Sequence, residues 1–136
     1  MKDQNLKRGV LYTRLSRDQY EREGNNQYEV LHHYCHEHDI KIIHHYCDIS
    51  TKKKLGRRFM NMIEDIRDFD GIDVVLINSV ERISNDYDAI IEVAKVLNDL
   101  NVHIVVVDSL NDKVKDIKNM NQLLREAKKI LNKSHP

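Results

Sequence analysis

The stretch Gly9-Val10-Leu11-Tyr12-Thr13-Arg14-Leu15-Ser16 decides the fold. Its first part is a short apolar run, as a parallel strand buried on both faces tends to be, and it ends on polar and charged residues. Asp73–Asn78 repeats the pattern, and Ile40–Cys47 and Val102–Asp108 are weaker versions of it. Between these runs the apolar spacing becomes helical. Val30, Leu31, Tyr34, Cys35 and His38 form one stripe, Phe59, Ile63 and Ile66 a second, and Tyr87, Ile90, Ile91, Ala94 and Leu97 a third. Asp70-Gly71 is placed to stop the second helix before its following strand. This alternation predicts an α/β fold: an open, mainly parallel sheet of four to five strands, flanked by helices and joined by right-handed crossovers. A long C-terminal helix is predicted over about Lys113–Lys133. Val114, Ile117, Leu124 and Leu131 would lie on one side of it, and Lys115, Lys118, Arg125, Lys129 and Lys133 on another.

A chain of 136 residues, 40% of them hydrophobic, suits one compact core. The expected division is a strand-helix domain over residues 1–109 and a C-terminal helix over residues 110–136. Lys plus Arg and Asp plus Glu are equal at 22 each, so no overall positive field draws in a polyanion. Contact with nucleic acid must come from local patches. The sequence has no run of about 18 apolar residues, and Met1-Lys2-Asp3-Gln4-Asn5 leads into a polar segment unlike a signal peptide. The expected location is the cytoplasm, with no membrane partner. Cys35 and Cys47 fall on different predicted elements and are expected to be free, buried thiols.

Ligands of open α/β sheets bind beyond the carboxyl ends of the strands. On the first strand a period of two sets Tyr12, Arg14 and Ser16 on one face at that end. After the second strand comes a basic loop, Thr51-Lys52-Lys53-Lys54-Leu55-Gly56-Arg57-Arg58, and after the third come Glu81 and Arg82. A serine hydroxyl attacks weakly, and a phosphodiester repels attack by its own charge. Guanidinium groups around a serine are what phosphoryl transfer without a metal requires. The bland alternative makes Ser16 a turn residue and Lys52–Lys54 a solvated loop.

Several pieces in chain order carry a resemblance: Tyr12-Thr13-Arg14-Leu15-Ser16-Arg17-Asp18, Glu23-Gly24, Gln27, Tyr34-Cys35, Asp48, Leu55-Gly56-Arg57, the strand Asp73–Ile77, and Glu81-Arg82-Ile83-Ser84-Asn85. Together they resemble the N-terminal catalytic domain of serine site-specific recombinases of the resolvase/invertase family, above all the large serine recombinases. The resemblance implies a serine that attacks a DNA phosphate to give a 5′-phosphoserine link and a free 3′-hydroxyl, with strand exchange by subunit rotation in a tetramer. It also implies that no cofactor or metal is needed. Carried over, Ser16 is the nucleophile, and Arg14, Arg57 and Arg82 bind and polarise the phosphate. Glu81 stands where the family has Asp, and Tyr12 and Gln27 support the site. Lys52, Lys53, Lys54, Arg58, Lys118, Arg125 and Lys129 are the candidate DNA contacts. The implied partners are double-stranded DNA and further copies of the chain, as homodimer or tetramer.

The sequence departs from the family at three places. Asn85 replaces a second arginine; Tyr20 stands where many relatives have Gln, with Gln19 beside it; and no helix-turn-helix or cysteine-rich region follows. An alternative reading is a non-catalytic module that pairs with a full-length recombinase through the last helix. His32, His36, His44 and His45 with Cys35 suggest a metal, but His32 and His36 fall off the apolar stripe and toward solvent. A nucleotide site lacks its Gly-rich turn after the first strand.

Overall fold

The computed structural model describes residues 6–23, 26–49 and 52–133. Gly24 and Thr51 of the quoted motifs, and Met1–Asn5, lie outside the described residues. Five strands form one sheet in the order β2-β1-β3-β4-β5: β1 (Lys7–Leu15), β2 (Ile40–Ile49), β3 (Val74–Ile77), β4 (His103–Asp108) and β5 (Lys113–Ile117). The first four are mutually parallel, and β5 runs antiparallel to β4 at one edge. The helices are α1 (Arg17–Glu23), α2 (Asn26–Glu37), α3 (Arg57–Asp68), α4 (Tyr87–Leu100) and α5 (Met120–Lys133). This is the mainly parallel, helix-flanked sheet that the alternation predicts.

The period of two along the central strands divides the core. Val10 and Tyr12 of β1, Val75 and Ile77 of β3, and Ile104 and Val106 of β4 face α3, α4 and α5. Leu11, Val74, Leu76, Val105 and Val107 point the other way, toward Leu31 and Cys35 of α2. Central strands therefore bury both faces, which is why their sequences read as unbroken apolar runs. Both cysteines are free, and burial pushes the Cys35 thiol up to about 11. Asp86 caps α4 by accepting from the Ala89 N–H at 3.0 Å. Asn101 ends that helix in the left-handed region at φ 57°.

The C-terminal reading needs correction. Residues from Lys113 to Ile117 form a strand, and the last helix starts at Met120. Val114 and Ile117 are three apart and so imitate a helical stripe, but pairing with β4 prevails: Val107 lies opposite Val114 and Ile104 opposite Ile117. Asn119 then caps α5, its Oδ1 accepting from the Gln122 N–H at 3.0 Å. Leu123 and Ala127 of α5 are buried in the core beside α4. Lys115 thus sits on a strand, from which it reaches Glu126 of α5 at 2.7 Å. Among the described residues no helix is long and apolar enough to cross a membrane.

Candidate active site

The carboxyl ends of β1, β2 and β3 meet at one edge of the domain, and four of the segments around them carry the residues of interest. β1 stops at Leu15, and Ser16 follows, exposed, as the residue before α1. Its Oγ accepts from the Gln19 N–H at 3.0 Å, and the Gln19 side-chain oxygen accepts from the Ser16 N–H at 3.0 Å. This reciprocal pair is a capping box, and it starts a helix that the apolar periodicity did not announce.

Arg14, one turn of the pleat earlier, is half-buried. Its guanidinium donates to the carbonyls of Lys53 at 2.5 Å, Lys54 at 3.4 Å and Ile83 at 3.1 Å. Arg82, in the single turn of 3-10 helix Val80–Arg82, donates in return to the Arg14 carbonyl at 2.9 Å. The two arginines therefore cross-tie β1, the lysine loop and the segment after β3. Glu81 is exposed on the same turn, and Asn85 is exposed just beyond it.

Arg57 is the first residue of α3 and is exposed; among the described residues no hydrogen bond or ion pair joins it to Ser16, Arg14 or Arg82. Arg58 and Lys52–Lys54 are exposed beside it, and Lys54 lies 3.8 Å from Asp86. Lys118, Arg125 and Lys129 are exposed on the β5–α5 connection and on α5, a helix that packs against the Val80–Arg82 turn, with Lys129 paired to Glu126 at 3.5 Å. The structure thus brings Ser16, Arg14 and Arg82 together and sets Arg57 and the lysine loop beside them, while among the described residues no hydrogen bond or ion pair joins Lys118, Arg125 or Lys129 to that group.

Tyr12 shares the Arg14 face, but it is fully buried and turns its hydroxyl to Asp48 Oδ2 at 2.7 Å. Burial first, then the hydrogen bond and charge of Asp48, push the phenol far above its usual range, so it stays a donor. Asp48 is the residue whose role sequence reasoning missed. Its carboxylate is buried at 6% exposure and also accepts from the N–H groups of Arg58 at 3.0 Å and Phe59 at 3.1 Å. It therefore ties β2 to the first turn of α3, where an anion complements the unpaired N–H groups. Gly56 makes this possible, because a Cβ there would overlap the Asp48 carboxylate. Only the register that sets Arg14 against Asp48 could have revealed the link.

Gln27 is buried at the start of α2, and its side-chain oxygen has no hydrogen-bond partner among the described residues. Its carbonyl accepts from Asn78 Nδ2 at 3.4 Å, so the start of α2 adjoins the end of β3. The rings of His32 and His45 both lie against Tyr28, with centroids 5.6 Å and 4.6 Å away. Among the described residues no group of three His, Cys, Asp or Glu could hold a metal ion.

A family model described as Resolvase, N terminal domain, matches residues 9–134. The N-terminal catalytic domain of TP901-1 integrase is similar in structure, with a TM-score of 0.70 and 19% identity over 94% of this chain and 96% of that one. A resolvase family site-specific recombinase from Streptococcus pneumoniae gives a TM-score of 0.70 and 22% identity, over 94% of this chain and 89% of that one. The C-terminal catalytic domain of ISC1926 TnpA, an IS607-like serine recombinase, gives 0.64 and 18%, over 93% and 82%. No curated protein matches.

Proposed function

Because the chain belongs to the resolvase N-terminal domain family, we propose that it is the catalytic domain of a site-specific DNA recombinase, with Ser16 as nucleophile. The observation that carries this reading is the exposed Ser16 hydroxyl directly beyond β1, with Arg14 and Arg82 interlocked behind it. In the proposed reaction the Ser16 hydroxyl gives up its proton as its oxygen bonds to a DNA phosphorus, the bond from phosphorus to the 3′ oxygen breaks, and that oxygen takes up a proton. A 5′-phosphoserine link and a 3′-hydroxyl result. One phosphodiester replaces another, so the reverse attack can rejoin strands without an added energy source. Arg14 and Arg82 supply charge to the phosphate oxygens, and Arg57 with Lys52–Lys54 and Arg58 holds the flanking backbone. Double-stranded DNA is the substrate, and two or four copies of the chain act on it together.

The test is to trap and map the link. Nicked suicide duplexes selected for binding from a randomised pool are incubated with the protein, denatured and digested. The expected result is a nucleotide remnant on the peptide that contains Ser16. A remnant on any other residue would remove the assignment.

The second reading, a non-catalytic partner of a full-length recombinase, is favoured by Asn85. It is exposed at the site's edge, where the family resemblance expects a guanidinium, and an amide offers no charge. Loss of one such donor typically costs about 100- to 1000-fold in rate. Asn85→Arg should therefore raise the rate of adduct formation at least about tenfold, measured at fixed salt because phosphate contacts are salt-sensitive. No adduct from either protein would favour the module.

A further inference from the structure

Ser16 has its amide, its carbonyl and its hydroxyl all engaged within the next turn of chain. Besides the reciprocal pair with Gln19, its carbonyl accepts from the Tyr20 N–H at 3.0 Å. A hydroxyl has one proton and two lone pairs. Here one lone pair takes the Gln19 N–H, and the proton and the second lone pair are left for other partners. The oxygen is thereby held to one rotamer of the three that a serine side chain samples.

The Gln19 side chain is the unusual member of this pair. α1 has only seven residues, fewer than a helix needs to persist alone in water. Its exposed surface offers the Asp18–Arg22 ion pair at 3.0 Å, which is too solvated to hold the helix. The capping box is therefore a main support of the first turn. Gln19 also stands one residue before Tyr20, the place where the family resemblance leads one to expect a glutamine. Tyr20 is 42% exposed and points its ring outward, so the amide that meets Ser16 in this chain comes from Gln19 alone among the described residues.

Resting on the reading of Ser16 as nucleophile, we infer that Gln19 is a positioning residue: its side-chain amide fixes the Ser16 backbone, and through it the direction in which the Ser16 hydroxyl meets a phosphate. Gln19 touches no reacting atom with its side chain. It acts by keeping its own N–H, and hence Ser16 Oγ, in place.

Two readouts on the intact chain decide this. The first needs no DNA: hydrogen exchange of the Ser16 amide, followed by NMR, should speed up at least about fivefold in Gln19→Ala, the scale of a lost cap. It should stay near the parent rate in Gln19→Glu, because glutamate also closes a capping box. The second is single-turnover adduct formation on the suicide duplex. Gln19→Ala should lower the maximal rate by about fivefold and leave the half-saturating DNA concentration unchanged. Unchanged exchange in Gln19→Ala overturns the inference, as does an unchanged maximal rate. If neither the parent nor Asn85→Arg forms an adduct, the recombinase reading falls, and the exchange comparison alone judges Gln19.

Discussion

Replacing Ser16 by asparagine is expected to abolish the covalent protein–DNA adduct while leaving α1 in place. The hydroxyl does two separable things in this structure. Its oxygen caps the helix by accepting from the Gln19 N–H, and its outward side is the proposed nucleophile. An asparagine side-chain oxygen caps about as well as a serine one, but it carries no hydroxyl to attack phosphorus. Ser16→Ala removes both functions. Each variant should therefore give no adduct on a denaturing gel, a loss beyond detection, whereas only the alanine protein should lose amide protection at Gln19. DNA binding, read by gel shift at constant salt, should be nearly the same in all three, because the cations of the site remain. Adduct in either variant at the parent level would dismiss Ser16 as nucleophile.

The largest effect on stability is expected at Gly56. Its backbone, φ −70° and ψ 155°, is open to any residue, so alanine meets no torsional strain there. The cost comes from crowding: the new Cβ would overlap Asp48 and stand 2.8 Å even from the farther carboxylate oxygen. Asp48 cannot simply swing away. It would leave behind the Tyr12 hydroxyl and two helix N–H groups, all of which lie in or near the core, and it would remain a poorly paired buried charge. Breaking such an arrangement costs about 3–5 kcal/mol, which should lower the melting temperature by roughly 10 °C or more. Asp48→Ala alone should cost a comparable amount. The double variant should lose much less than the sum, since the overlap disappears with the carboxylate. Additive losses in urea titrations would show that Gly56 and Asp48 are not coupled through this contact.

The sheet and the helices α2, α3 and α4 could be read from the sequence because both rest on local periodicity. Strands buried on two faces, such as Val74–Ile77, carry unbroken apolar runs, and Ile90, Ala94 and Leu97 mark the inner side of α4. The readings that failed had a local signal of another kind. Ser16-Arg17-Asp18-Gln19 and Asn119-Met120-Asn121-Gln122 both have a capping residue with glutamine three places on. They mark the starts of α1 and α5, where apolar spacing is silent or misleading. The site was legible as a list of residues at strand ends, and not as an arrangement. Tyr12 belongs to the core and Asp48 to the α3 terminus because β1 lies between β2 and β3, a fact that no window of sequence contains. The engagement of Arg14 with Lys53 and Ile83 spans about 40 and 70 residues of chain, and is invisible for the same reason.

That engagement bears on how the proposed site would take up a phosphate. Three of the five guanidinium N–H groups of Arg14 already point at backbone oxygens, and one from Arg82 does too. The fold thus gives three of the Arg14 donors and one of the Arg82 donors their acceptors, and that much desolvation is settled when the chain folds. If Arg14 and Arg82 bind phosphate as proposed, the phosphate must compete with carbonyl oxygens for the same protons, so its binding is an exchange of acceptors and not an addition to vacant donors. The gain from each new bond is only the difference between an anionic oxygen and a neutral one. Under that reading discrimination follows: a weak or misplaced anion recovers too little to dislodge the carbonyls, while a phosphodiester held along its flanks by the neighbouring loop cations recovers enough.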